Sequence, residues 1–393
     1  DVLIAGGGPA GLAAALASSA SGKRVVIADE QDRPGGSLLH DTTSTIDGLP
    51  ARTWVARTLE ELGRRENVRI LSRTTVFGHF NHNHIALCER LTDHLRRPPP
   101  GQARERLWQV RAGQVIVATG AHERPLVFAN NDRPGIMLAD ALRCYMNRYA
   151  VTPGRNIVVA TNGASAYETA LDAKAHGLFV TIVDYRTRDQ IGRERELAAR
   201  AGIEILDNHT VLGTTGRAQV TGITVAPKTA SGGVGDARTL ACSAVAMSGG
   251  WTPVVHLFSQ ARGKLDFDAA IDAFVPGASV SGTMSAGACR GRYGLAECIA
   301  DGFDAGGPAG GAAPCSGPKF SGAVTARDVS GFEPIRVMPT NRTSARDKAF
   351  VDFQNDVTTK DPSWRCRKAS SRSSTSSATR RPAWRRTRAR RRT

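Results

Sequence analysis

Three glycines near the start of the chain have the spacing of a phosphate cradle. Residues 1–30 read DVLIAGGGPAGLAAALASSASGKRVVIADE, in which Gly6, Gly8 and Gly11 fit G-x-G-x-x-G. Gly6 permits a tight turn out of a strand, and Gly8 lets backbone approach a pyrophosphate. Gly11 lets a helix pack closely on the strand. The N–H groups opening that helix offer partial positive charge to the phosphates. Asp29, 18 positions after Gly11 and followed by Glu30, stands where an acid accepts hydrogen bonds from ribose hydroxyls. An acid there repels a 2′-phosphate, so the pattern favours NAD or FAD over NADP.

Such a cradle works only between a strand and a helix, and the flanking residues supply both. Residues 2–5 are a short apolar run, as in a strand buried on both faces. Residues 12–20 are Ala/Leu-rich without Gly or Pro and predict a helix. Residues 25–28 predict a second strand ending at Asp29. The Gly-rich loop 31–39, with Ser37 inside it, lets backbone reach a ribose or a ring. Residues 54–65 predict a helix and 68–71 a third parallel strand. Residues 74–80, 85–89 and 107–110 predict an antiparallel meander, and the run 95–106, with three consecutive prolines, an exposed loop. A buried strand at 114–118 then ends in Thr119-Gly120-Ala121, whose small residues let the chain pass under a cofactor.

After a loop at 125–135 and a helix at 138–149, the pattern restarts with a strand at 156–160, a helix at 164–176 and a strand at 179–183 ending at Asp184. Its connecting loop, TNGASA at 161–166, keeps one glycine. Close backbone approach is hindered there, so the reading is a retained fold with a degraded site. Strands at 203–206, 209–214, 220–226, 244–247 and 279–282 follow. A helical segment at 291–305 returns to the first domain with its N-terminus toward the cofactor. The expected fold is α/β, with two dinucleotide-binding domains of the glutathione-reductase-like, FAD/NAD(P)-binding kind. One domain comprises 1–124 with 279–305, and 125–278 form the second. Residues 306–331 are Gly/Ala/Pro-rich and read as a linker; 332–361 read as the start of a following domain, and 362–393 as a disordered basic tail.

The 393 residues suffice for two or three domains, and 41% hydrophobic content suits globular cores. No run approaches 18 apolar residues, so no membrane helix is expected. The chain opens directly on a strand, without a secretory leader, which suggests missing upstream sequence. Seven scattered cysteines form no C-x-x-C, which argues against a zinc ribbon or a dithiol redox pair and for reduced thiols in the cytoplasm. Of the net charge of +16, the tail's eleven Arg and one Lys contribute +12, leaving +4 on the rest. The body therefore carries no signature of nucleic-acid binding. No metal-ligand cluster and no acid, base and nucleophile constellation is visible. His122, His176 and His256 are isolated and read as structural or surface residues, so no catalytic residue is assigned.

Longer strings narrow the reading. PGGSLL (34–39), VIVATGAHERPLVFANNDRPGIMLA (115–139), SGGWTPVVHLFSQARGKLDFD (248–268) and AFVDFQNDVTTKD (349–361) are far more specific than a glycine fingerprint. On these strings the chain, from residue 1 to about 361, resembles the alpha subunit of heterotetrameric sarcosine oxidase. The resemblance implies a complex with beta, gamma and delta subunits that oxidatively demethylates sarcosine to glycine with O2. H2O2 is formed, and the one-carbon unit leaves as formaldehyde or, with tetrahydrofolate, as 5,10-methylenetetrahydrofolate. It implies NAD on this chain, and FAD and FMN mainly on beta and the alpha–beta interface. Folate belongs to a C-terminal aminomethyltransferase-like domain, which this chain does not recognisably contain. NAD contacts carried over fall on Ala10, Asp29, Glu30, Ser37 and Val76, with Ala288 and Leu295 in the late junction. Two readings stand beside this one: an FAD-dependent amine, proline or opine dehydrogenase-type subunit of the same fold, and a non-catalytic scaffold with structural NAD.

The tail reads as a reading-frame product. The family continues after the TTKD-like segment with a helix of the type LALQEGF. Codons for that peptide, read one base later, give Trp-Arg-Cys-Arg-Lys-Ala, the string at 364–369. A frame change near 361–364 is therefore expected, and a nucleic-acid-binding arm is the less fitting account of the charge.

Overall fold

A computed structural model describes residues 1–278, 282–311, 320, 322–326, 331–341 and 347–361. The tail, with its frame-change reading, and half of the expected linker lie outside the described residues.

The chain makes the same device twice. In the first half, β1 (Val2–Ala5) is followed by helix α1 (Pro9–Ser19) and β2 (Val25–Ala28). They belong to a five-stranded parallel sheet in the order Thr283–Ser285, Gln114–Val117, β1, β2, Val68–Leu71. All four β1 residues are buried, because helices cover one sheet face and the meander the other. Helix α2 (Ala51–Arg64) packs Val55 and Leu62 into that core. The second half repeats the plan with the parallel order Ile136–Leu138, Ala244–Ser248, Asn156–Thr161, Phe179–Asp184, Glu204–Leu206. Helices α3 (Ala139–Tyr149) and α4 (Ala166–Ala175) lie against it. Each half carries a three-stranded antiparallel meander, Thr74–Phe80/His84–Arg90/Glu105–Arg111 in the first and His209–Thr215/Gly222–Pro227/Arg238–Ala241 in the second. Short antiparallel strands, Ala121–Glu123 and Trp251–Pro253, pair at the junction. Among the described residues no helix is long and apolar enough to cross a membrane.

Several boundaries differ from expectation for physical reasons. Helix α1 starts at Pro9, not at residue 12, since proline has the φ of a first helical turn and its missing N–H is not needed there. The late strand is Thr283–Ser285; the 279–281 part of the expected strand lies outside the described residues. The late helix, Leu295–Ala309, runs through Gly306-Gly307-Pro308, where a linker was expected. Gly302 and Gly306 sit on its contact with α1: a Cβ on them would meet Ala10 O at 2.2 Å and Ala14 O at 2.4 Å. These glycines let two helix backbones touch, and they are not flexible connectors.

Residues 332–361 are expected to begin a following domain, and among them Phe332, Glu333, Met338 and Phe350 touch the second half. Met338 enters the core with Leu126 and Val211, and its N–H donates to Val127 O. Asn131 clasps Phe350, donating to its carbonyl and accepting from its N–H, both at 2.9 Å.

Candidate functional site

The first crevice is built from backbone. Gly6 has φ of 106°, and a Cβ on it would meet Ala118 O at 2.2 Å; a Cβ on Gly11 would meet Gly6 O at 1.9 Å. Both glycines are demanded by the protein's own packing. Gly8 is different: the nearest protein atom to a Cβ there is Gly36 Cα at 4.0 Å. Its bare face opens on a cleft of about 910 Å³. Helix α1 has no side-chain cap, so its first N–H groups keep their capacity for an anion. An uncapped helix start beside an unfilled glycine face suits a dinucleotide pyrophosphate.

Eleven of the twelve sequence-predicted site residues line this cleft. Gly6, Gly8 and Ala10 form the floor at the α1 end. Gly11 does not reach the cleft and lies beneath, holding helix to strand. Asp29 and Glu30 stand at the end of β2, with Val76 across from them on the meander. Asp29 also braces the cradle, accepting from Gly7 N–H at 2.7 Å and Gln31 N–H at 2.8 Å. Ser37 sits in the one-turn helix Gly36–Leu39. Thr119 donates to Val254 O at 2.7 Å, tying the strand end and Gly120 to the junction. Ala288 and Leu295 complete the wall, Leu295 being the first residue of the late helix.

Sequence reasoning missed the inner end, where the halves meet. His40 Nε2 lies 2.9 Å from Asp140 Oδ1, and the Asp140 N–H donates to Glu123 Oε2 at 2.8 Å. Burial, reinforced by the nearby Asp140 charge, pushes the Glu123 carboxyl up to about 8. Burial acts on Asp140 the same way, but the His40 hydrogen bond and charge, with Arg143, hold it below the usual range. Asp41 is likewise held low against burial, by the Ser44 and Thr43 N–H groups. Arg143, on α3, donates to Asp172 at 2.7 Å and Glu168 at 2.5 Å, both on α4. The Glu168 and Asp172 charges outweigh burial and raise its pKa further. The signal was present as i, i+3 and i, i+4 spacings on two helices, but only their packing makes it a cluster. Among the described residues no group of three or more His, Cys, Asp or Glu has metal-binding geometry.

The equivalent loop of the second half is covered. Ala164 N–H donates to Gly331 O at 2.7 Å, Glu333 N–H to Asn162 O at 2.9 Å, and Asn162 Nδ2 to Glu333 O at 2.8 Å. Gly163 forms a bridge with Phe332, and the Arg124 guanidinium lies 5.0 Å from the Phe332 ring centre. Asp184 ends its strand as Asp29 follows β2, but it is fully buried. It accepts from Tyr167 OH at 2.9 Å and from Arg186 Nη2 at 2.8 Å.

Residues 1–299 match the family model described as pyridine nucleotide-disulphide oxidoreductase. The chain belongs to that family. It is 40% identical to a sarcosine oxidase subunit alpha of Corynebacterium sp. (strain P-1) and 38% identical to that of Rhizobium meliloti (strain 1021). Each match covers 92% of this chain, and 38% and 35% of the respective subunits. The chain thus spans a little over a third of the length of these relatives. A thioredoxin reductase of T. acidophilum superposes with a TM-score of 0.60 at 18% identity, over 79% of this chain and 96% of that one. This likeness shows the two-dinucleotide-binding fold. The family name speaks of disulphides, yet this member has no C-x-x-C, and its five described cysteines are free.

Proposed function

We propose that this chain is the nucleotide-holding part of a sarcosine oxidase alpha subunit and that its first crevice carries NAD. The observation that carries the reading is the open face of Gly8 beside the uncapped start of α1, at the mouth of a cleft lined by Ala10, Asp29, Glu30, Ser37, Val76, Ala288 and Leu295. Backbone N–H groups of α1 hold the pyrophosphate, and Asp29 and Glu30 hold the adenosine ribose. NAD, where it turns over, supplies a two-electron hydride acceptor. This chain's residues bind it, orient it and keep water from its inner end.

The whole complex, in this reading, lies in the cytoplasm and converts sarcosine, O2 and water to glycine, formaldehyde and H2O2. With tetrahydrofolate the one-carbon unit leaves as 5,10-methylenetetrahydrofolate. FAD and FMN sit on a beta subunit and at its contact with this chain, with gamma and delta completing the assembly. The covered second loop weighs against a free NAD(P)H-dependent reductase of the same fold. Mass spectrometry of the nucleotide released from the purified complex tests the assignment. NAD from this chain is expected; FAD from the same crevice would favour an amine dehydrogenase-type subunit.

A further inference from the structure

Glu123 ends the junction strand Ala121–Glu123 and lines the inner end of the cleft, 8% exposed. Its Oε2 accepts the Asp140 N–H at 2.8 Å, in the first turn of α3. The Asp140 carboxylate, one-third exposed and paired with His40 Nε2 at 2.9 Å, is the charge that acts on it from that helix. Ser248 faces it from the strand Ala244–Ser248, and Trp251, opposite it in the junction pair, brings no charge. Burial first, and then the Asp140 charge, hold the proton on; the Ser248 hydroxyl and the α3 N–H pull the other way and are outweighed. A glutamine would accept the same N–H without burying a titratable group. The carboxyl therefore offers the cleft something that the helix start does not need, a proton that can leave.

We propose that Glu123 is the proton-exchanging residue of the cleft, giving up its proton to solvent when a cationic ring occupies the inner end. The inference rests on the assignment of NAD to the cleft. With the pyrophosphate at Gly8 and the adenosine ribose at Asp29 and Glu30, the nicotinamide arm runs toward the opposite end, where Glu123 and Asp140 stand. The oxidised nicotinamide ring carries one positive charge. That charge offsets the repulsion between the two carboxyl groups and favours the ionised Glu123. One cation enters and one proton leaves, so the net charge of the inner end is conserved. No bond other than the carboxyl O–H breaks. Nucleotide binding is thereby coupled to pH through one residue.

Calorimetric titration of the nucleotide-free complex with NAD+, in buffers of different ionisation enthalpy, counts the proton. Release of about one proton per NAD+ is expected near neutral pH. Affinity should rise with pH, by up to about tenfold per unit, and level off above about pH 8. Glu123→Gln should abolish the release and flatten that profile. Asp140→Asn removes the charge that helps to hold the proton, so the levelling point should move to lower pH; it serves also should the first variant fail to assemble. His122→Gln and His256→Gln, at the exposed imidazoles on the same wall, should leave the release unchanged. ADP-ribose shares the phosphates and the adenosine but lacks the ring, and should bind without release. The inference is overturned, and the NAD assignment left standing, by any of four results: no release from the native complex, equal release with ADP-ribose, undiminished release in Glu123→Gln, or release abolished by an imidazole variant. An unmoved profile in Asp140→Asn overturns it too. A complex that binds neither NAD+ nor ADP-ribose overturns both.

Discussion

The two halves of this molecule share a sheet order, a meander and a strand–loop–helix turn, and they have opposite surfaces at that turn. In the first half the loop is open, the helix start is uncapped and Gly8 faces a cleft. In the second half the loop's backbone groups bond residues 331–333, and the acid at the strand end is spent on Tyr167 and Arg186. The turn of the second half therefore stands without a ligand, because the chain itself satisfies the loop's polar groups. Keeping the site open demands more: glycines at fixed places and donors left without protein partners.

Charge removal at the two strand ends should separate the halves most strongly. Asp184→Ala leaves Arg186, 1% exposed, without its main counter-charge. A loss of about 3–5 kcal/mol in urea unfolding is expected, with nucleotide affinity unchanged. A near-neutral result would show that the second strand end is not a buried ion pair. Adding one methyl comes next. Gly11→Ala drives a Cβ into Gly6 O, whereas a Cβ on Gly163 stays 3.3 Å from Gly331 O. The first should cost about 1–3 kcal/mol or more and the second well under that. Equal costs would erase the contrast between a packed fingerprint and a relaxed one.

Asp29→Ala acts on binding. Losing its hydrogen bonds should weaken NAD by about 1–3 kcal/mol by calorimetry. Unchanged affinity would place the nucleotide elsewhere. The junction gives an effect graded with pH rather than a single step. Burial pushes the folded Glu123 carboxyl up to about 8, well above the ordinary carboxylate range of the unfolded chain. The folded state thus binds the extra proton between these values, and stability falls as pH rises through that window. Relative to Glu123→Gln, the native protein should lose about 1 kcal/mol per pH unit from pH 5 to 8, read from urea midpoints. Parallel pH profiles would mean that the carboxyl is ionised in the fold.

What the sequence showed and what it hid have one physical cause. The first crevice was legible because its requirements are local: Gly6, Gly8 and Gly11 act through backbone within six residues, and β2 delivers Asp29 by register. The weakness of the second loop was legible for the same reason, since TNGASA lacks two of the glycines. Its cover was not, because 331–333 lie about 170 residues downstream and bond through backbone, which leaves no side-chain pattern. The Arg143 cluster stayed hidden because Arg143 is on α3 while its partners Glu168 and Asp172 are on α4. Gly302 and Gly306 belong to a Gly/Ala-rich composition that reads as a connector, although each abuts the backbone of α1.

The central claim is one dinucleotide per chain, held at the open glycine face. Titration of the nucleotide-free complex with NAD+, comparing native protein with Gly8→Ala and Phe332→Ala, tests it most directly. The account predicts one site per chain, at least tenfold weaker binding with unchanged folding in Gly8→Ala, and the same single site in Phe332→Ala. Two sites in the native complex, or full affinity in Gly8→Ala, would contradict it.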